Sequence, residues 1–315
     1  MDHVRAGSPD TAEPLAAQGP RLPDERAAAA DDPATLRRAM DGVRALVLDA
    51  DGVLVRVGAP IPGSMAALAR LDALGIPYRI VTNFSSAHRE TLAARFSSDG
   101  MTIGPERIVS AASAAASYTA LRHAGRPLLV LSAPDALREF DGQRLVHVSE
   151  VDALEGGVAA VVVGDAGDDL PFGHLDVAFR AVRRGAELVA MHRNPWWQTR
   201  RGETLDSGAI VAGLEYATGR RAVLCGKPSR VVFRQAVRSL AGDLGLRRLP
   251  AGSVAMVGDD LVADVQAAQR AGLRGVLVLT GKHGPRDVAT LAGRRGGTRP
   301  DAIAPSLAGL VGALD

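Results

Sequence analysis

Residues 45–54 read Ala-Leu-Val-Leu-Asp-Ala-Asp-Gly-Val-Leu. The apolar run from Ala45 to Leu48 stops at Asp49, and a second carboxylate, Asp51, follows just before Gly52. A short, unbroken apolar run is what a strand buried on both faces of a parallel sheet requires. Gly52 allows a sharp turn because glycine tolerates positive φ. In open parallel sheets, ligands bind just beyond the carboxyl ends of the strands. Asp49 and Asp51 therefore fall where such a sheet does its chemistry, although Asp-Gly after a strand is by itself an ordinary turn signal.

The pattern outward from this point is alternating. A helix is expected over about 63–74, closed by Gly75, and then a strand Tyr-Arg-Ile-Val-Thr ending at Thr82. Strand–helix–strand order implies parallel pairing and a right-handed crossover. Helical patterns follow at about 87–98 and 111–124. From about 125 to 222 a second alternating set appears: LLVLS, VAAVVVG, a helix over about 172–184, AELVAM, and a helix over about 206–218 closed by Gly219. The first alternation then resumes with AVLC before Lys227, a helix over about 229–240, SVAMVG before Asp259, a helix over about 262–271 stopped by Gly272, GVLVLT, and a helix near 305–314. The expected fold is α/β, a doubly wound parallel-sheet core over 41–124 and 223–315 with an α/β unit inserted over 125–222. Residues 1–40 are rich in Ala, Pro, Asp and Arg without a sustained apolar period. They are expected to form a disordered tail, helical only near Pro33–Met40.

Bulk properties narrow the function. The 315 residues are 47% hydrophobic, enough for real cores, yet no run of about 18 apolar residues exists to span a membrane. Basic and acidic residues number 37 and 35 and aromatics are 3%, so neither a basic patch nor interleaved aromatics point to nucleic acid. The single cysteine, Cys225, rules out an intrachain disulfide, and the first residues lack the basic and apolar regions of a secretion signal. A cytoplasmic location is the default expectation. P-loop, GxSxG, zinc-site and GxGxxG spacings are all missing.

Polar residues collect at the strand ends. Asp49, Thr82, Lys227 and Asp259 each lie at or just past one, and the segment GDDLVADV adds Asp260 and Asp264. Asp260 and Asp264 share a face at i,i+4 if a helix begins at once, where like charges repel by a few tenths of a kcal/mol. A helix cap alone would explain Asp260. Five carboxylates on one rim, Asp49, Asp51, Asp259, Asp260 and Asp264, call for a hard cation, and oxygen-only ligation with few dedicated protein ligands suits Mg²⁺.

The segments Asp49-Ala50-Asp51-Gly52-Val53, Val81-Thr82-Asn83, Gly226-Lys227-Pro228 and Gly258-Asp259-Asp260 with Asp264 have the order and separations of haloacid dehalogenase superfamily phosphatases. The insert between Thr82 and Lys227 resembles that superfamily's large α/β cap. LDSGAIVAGLEYATGRRAVLCGKPS, MVGDDLVADVQAAQRAG and VLTGK are most similar to the NagD-type branch that also holds phospholysine phosphohistidine inorganic pyrophosphate phosphatases. The resemblance covers roughly 44–310. It implies a Mg²⁺-dependent phosphatase for small phosphorylated substrates, with Asp49 as nucleophile forming an aspartyl-phosphate. It further implies Asp51 as proton donor and then base, Thr82 and Asn83 on the phosphoryl oxygens, and Lys227 neutralising charge. A pyrophosphate or P–N bond hydrolase, and a non-catalytic phosphate binder, are the alternatives. The binder has little use for Asp51.

Within the insert, His192, Arg193 and Asn194 follow the expected strand ending at Met191 and are candidate leaving-group contacts. This loop departs from the commoner NagD-type Thr-Asn pattern. Phe84 also replaces the second Asn often found after Thr82-Asn83, for which Ser85 or Ser86 could compensate. Trp196-Trp197 are read first as cap packing or a homodimer contact and second as a stacking platform. Asp165, Asp168 and Asp169 are read as a surface loop, and His283 as solvent-facing.

Overall fold

The computed structural model describes residues 29–167, 170–199, 202–288 and 299–314. Six strands form an all-parallel central sheet: β1 (Ala45–Asp49), β4 (Tyr78–Thr82), β5 (Ile108–Ser110), β12 (Val254–Gly258), β13 (Arg274–Val278) and β14 (Ala302–Ala304), in the order β14-β13-β12-β1-β4-β5. A small antiparallel hairpin, β2 (Val55–Arg56) with β3 (Ala59–Pro60), leaves the rim just after Gly52. β1 is the switch point: chain order runs outward from it in both directions, which opens a crevice at the carboxyl ends. Alternate residues of β1 serve opposite faces, Leu46 and Leu48 one apolar cluster and Ala45 and Val47 the other. This two-residue period with both faces apolar is why the strand reads as a continuous run.

The insert forms a second parallel sheet, β6 (Leu128–Leu131), β7 (Ala160–Val163), β8 (Glu187–Ala190) and β11 (Val223–Leu224), in the order β11-β8-β7-β6. A hairpin of β9 (Trp196–Thr199) and β10 (Gly202–Leu205) stands beside it. The AVLC segment thus differs from expectation. It pairs with β8 in the cap sheet rather than joining the core, so the cap sheet reaches beyond residue 222.

The two sheets share one apolar cluster. The helix Ala111–Arg122 buries Ala111, Ala112, Ala114, Ala115 and Ala116, and these pack in a cluster with Val47 of the core sheet and Ala160, Val162 and Val189 of the cap sheet. Alanine allows close approach, and a larger side chain here would overpack at about 1–3 kcal/mol. At the far edge of this contact the Glu187 carboxylate accepts from the Tyr118 hydroxyl and lies 2.7 Å from His123 Nε2. A further tie fixes β4 to the helix Arg230–Asp243: Arg79, 3% exposed, donates from Nη1 and Nη2 to both Asp243 carboxylate oxygens at 2.7 and 2.8 Å.

The helix expected near Pro33–Met40 is present, and it is docked on the core rather than lying in a tail. Helix Pro33–Met40, with Asp32 accepting from Ala34 N and Thr35 N as its N-cap, buries Leu36 and Met40 in the core, and Asp31 N donates to Ile303 O beside β14. The expected tail over residues 1–28 lies outside the described residues. No helix among the described residues is long and apolar enough to cross a membrane.

Candidate active site

Two separate chain segments bring three carboxylates to the rim of the crevice. Asp49 ends β1, and Asp259 directly follows β12. Asp264 sits on a π-helical turn, Leu261–Gln266, where both Asp264 N and Val265 N donate to Asp260 O. The wide turn carries Asp264 under the rim, with no measurable exposure. One carboxylate oxygen from each of Asp49, Asp259 and Asp264 lies within 4.8 Å of the others. Lys227 Nζ stands 2.6 Å from Asp49 Oδ1 and 2.8 Å from Asp264 Oδ1. One ammonium against three carboxylates leaves two negative charges unbalanced in a buried cluster.

The pKa shifts follow from that imbalance. Desolvation is the main reason the Asp49 carboxyl is raised well above the ordinary range; Asp264 and Asp259 add to it and Lys227 opposes it. Asp259 is raised chiefly by burial, against a hydrogen bond from Lys282 N to its Oδ2 at 2.6 Å. Burial by itself would lower Lys227, but Asp264 and Asp49 outweigh it and hold the ammonium charged. Asp51, open to the cleft, is raised mainly by desolvation, with Lys227 opposing and Asp264 adding.

Glycines keep this space clear. A Cβ on Gly52, at φ +76°, would lie 2.1 Å from Asp259 Oδ2, and one on Gly281 would lie 1.9 Å from the same atom. Only backbone fits on either side of Asp259. The turn is held by the Thr280 hydroxyl donating to Gly52 O, and His283 braces the Asp259 carbonyl through its N at 3.2 Å. His283 is thus part of the rim's support rather than a solvent residue.

Three expected site residues have other engagements. Asp260 caps the π-helical turn, accepting from Val262 N and Ala263 N, and pairs with Lys282 Nζ. Despite burial, Lys282 and these amides hold its carboxyl below the usual range. It stands apart from the grouped Asp49, Asp259 and Asp264. The Asn83 side chain clamps the backbone of Lys227, accepting from Lys227 N at 2.8 Å and donating to Lys227 O at 3.1 Å. Arg193 turns away to Glu215 and does not line the cleft. Thr82 is buried at the end of β4, its hydroxyl accepting from Phe84 N at 3.2 Å, and lines the cleft.

The cap closes the other side of a cleft of about 630 Å³. His192 is 2% exposed and joins both units: Nε2 lies 2.9 Å from Ser85 Oγ of the core and 3.1 Å from Ser207 Oγ of the cap. Its Nδ1 accepts from Asn194 N at 3.3 Å, so the ring proton sits on Nε2. Burial lowers its pKa against the opposing charges of Asp206 and Asp165, keeping the ring neutral. Ser85 Oγ also accepts from Asp165 N at 3.0 Å. Asp165 therefore belongs to the cleft and not to a bare surface loop, while Asp168 and Asp169 lie outside the described residues. Trp196 and Trp197, 52% and 44% exposed, and Asn194 line the mouth. Asp165, Asp206 and Lys282 were missed as cleft residues. The sole signal for Lys282 was its place after the VLTG run; Asp165 had the same kind of signal, directly after VAAVVVG, and nothing local marks Asp206 as a cleft residue.

Comparison with known proteins agrees with this geometry. Residues 46–145 match the family model described as haloacid dehalogenase-like hydrolase, and residues 224–310 match the HAD-hydrolase-like model. Haloacid dehalogenase-like hydrolase domain-containing protein 2 of Bos taurus is 33% identical over 251 residues, covering 80% of this chain and 88% of the relative. Human phospholysine phosphohistidine inorganic pyrophosphate phosphatase is 32% identical, covering 78% and 86%. Among solved structures, the p-nitrophenyl phosphatase from Archaeoglobus fulgidus superposes with a TM-score of 0.75 at 29% identity, covering 86% of this chain and 99% of that one. The glycerol phosphate phosphatase from Mycobacterium tuberculosis in complex with calcium gives 0.73 at 27% identity, covering 86% and 76%. With the switch-point carboxylates, the inserted cap and these relatives in agreement, the chain belongs to the haloacid dehalogenase-like hydrolases, as a phosphatase.

Proposed function

We propose that this phosphatase hydrolyses small-molecule phosphate monoesters through an aspartyl-phosphate on Asp49. The observation that carries the reading is the buried group of Asp49, Asp259 and Asp264 around a single ammonium, its excess negative charge facing a cleft large enough for an organic leaving group.

That group suits Mg²⁺: the donors are all oxygen, the charge deficit matches a divalent ion, and Gly52 and Gly281 leave room that side chains would fill. Asp49, Asp259 and Asp264 would hold it, with Asp51 and Asp260 nearby. Bound there, the ion supplies neutralisation of charge on the phosphoryl oxygens and on Asp49. The rest falls to the chain itself. Lys227 orients the Asp49 carboxylate and offsets phosphate charge, and Thr82 offers a hydroxyl to the phosphoryl group. An Asp49 oxygen attacks phosphorus as the bond to the leaving oxygen breaks, and that oxygen takes its proton from Asp51. Burial raises the Asp51 pKa, which favours the acid form more than in an ordinary carboxyl. Water then attacks phosphorus, its proton passes to Asp51, and phosphate departs with the Asp49 carboxylate restored.

The test is p-nitrophenyl phosphate turnover with Mg²⁺ and with excess chelator, followed by a panel of phosphomonoesters against inorganic pyrophosphate and imidodiphosphate. Turnover that survives chelation would defeat the metal assignment, and preference for the P–O–P or P–N compounds would defeat the monoester reading.

A further inference from the structure

A second groove of about 260 Å³ lies on the distal half of helix Arg230–Asp243 and the loop that follows it. It shares no lining residue with the active cleft. Half-buried Val237, Ala251 and Ala271 form an apolar floor, backed by buried Phe233 and Leu249. Around it stand four exposed arginines, Arg234 and Arg238 from the helix and Arg247 and Arg248 from the loop.

Several arginines elsewhere are paired with acids, Arg79 with Asp243, Arg107 with Asp72, Arg138 with Asp135 and Arg180 with Asp152, while others stand singly on the surface. Among the described residues, none of the four groove arginines has a carboxylate or hydrogen-bond partner. Asp243, the acid closest to them in the chain, is occupied by both Arg79 nitrogens. Arg234 and Arg238 repel at i,i+4, and Arg247 and Arg248 are adjacent, so the fold holds four like charges together with no internal counter-charge. Guanidinium forks match phosphate, sulfonate and carboxylate groups in bidentate geometry, and an apolar floor takes a flat hydrocarbon body. The space is worth about nine water volumes, which admits a small ring system and not a folded partner.

We infer that this groove binds a small organic dianion, with a flat apolar body seated on Val237, Ala251 and Ala271 and its anionic groups held by the arginines. The groove sits at the far ends of two helical segments whose near ends carry catalytic charges. Helix Arg230–Asp243 starts three residues after Lys227, and Leu273 follows the helix that begins with the Asp264 turn.

The probe is naphthalene-1,5-disulfonate, which carries two anionic groups on a flat ring system and no bond a phosphatase cleaves. Calorimetric titration of the full chain at low salt is expected to show one saturable site that weakens in 0.5 M NaCl. Arg238→Ala combined with Arg248→Ala should weaken binding at least about tenfold while leaving p-nitrophenyl phosphate turnover and melting temperature unchanged. Arg234→Gln with Arg247→Gln gives the same readout should the first pair fail to fold. Asp49→Asn should bind the probe as the wild type does. Absence of saturable binding, unchanged affinity in the arginine variants, or loss of binding in Asp49→Asn would each overturn the inference.

Discussion

At the rim of the core sheet, every charged group is pinned from behind. Asp49 and Asp259 hang from strand ends, Asp264 from a helical turn, and Lys227 by its backbone to Asn83. Across the cleft, Asn194, Trp196 and Trp197 come from a loop and a two-stranded hairpin, and both indoles stay near half exposed. The first side is pre-organised and dry, so charge is worth much there. The second is built for contact with whatever the leaving group brings. On the proposed mechanism chemistry falls to one unit and leaving-group contact to the other, and substitutions on each side should fail in different ways.

The largest effect is expected at Asp49. Asp49→Asn should lower kcat for p-nitrophenyl phosphate by at least about a thousandfold with the fold intact by circular dichroism, since no other carboxylate is placed to replace the nucleophile. Activity above a few per cent of wild type would break the assignment. Asp51→Asn should cost about 10²–10⁴ in kcat for alkyl phosphates and far less for p-nitrophenyl phosphate, whose leaving group needs little protonation. Equal losses on both would show that Asp51 has a different job. On the cap side, Trp197→Ala should lower kcat/KM for aryl phosphates by about tenfold with kcat nearly kept, and spare small alkyl phosphates. A uniform loss would mean the indole only packs.

Two weaker effects concern the seam between the units. His192→Ala removes the ring that joins Ser85 to Ser207 and should destabilise by about 1–3 kcal/mol in denaturant melts. Asn at 192 should recover part of that loss. Asp135, which accepts from His88 N at 2.9 Å, has its carboxyl lowered to about 2, chiefly by that bond, with Thr91 and Arg138 adding. The sign is that of a depressed acid: its stabilisation is full above the unfolded pKa of about 4 and disappears as pH falls through about 2. Wild type should therefore lead Asp135→Ala in melting temperature at pH 6, and the gap should narrow below pH 4. A constant gap would assign the effect to packing alone.

How far such features were legible depends on the range of the interaction that makes them. Tyr78–Thr82 was bounded correctly because five buried residues carry their own apolar signal. The hairpin of β9 and β10 was missed because Trp196–Thr199 is short, polar in part and paired only with the next few residues. Cys225 was expected to be buried in a strand; it is buried directly after β11, and burial pushes its thiol up to about 12. The strand itself was assigned to the wrong sheet, because two exchangeable apolar residues, Val223 and Leu224, do not say which neighbour they will pair with. Arg193 and Asn83 carried suitable polar groups, yet both side chains are spent on partners far along the chain, Glu215 and Lys227.

Local pattern alone was enough to specify the parallel α/β core, the inserted unit and the placing of Asp49, Asp51, Thr82 and Asp259 at or just past strand ends. Each of these follows from the local apolar period and from where it stops. It took packing in three dimensions to bring Asp264 rather than Asp260 to Asp49 and Asp259, to fasten cap to core through His192, and to gather four arginines around one groove. Those outcomes depend on through-space contacts between segments whose separation along the chain carries no record of their final distance.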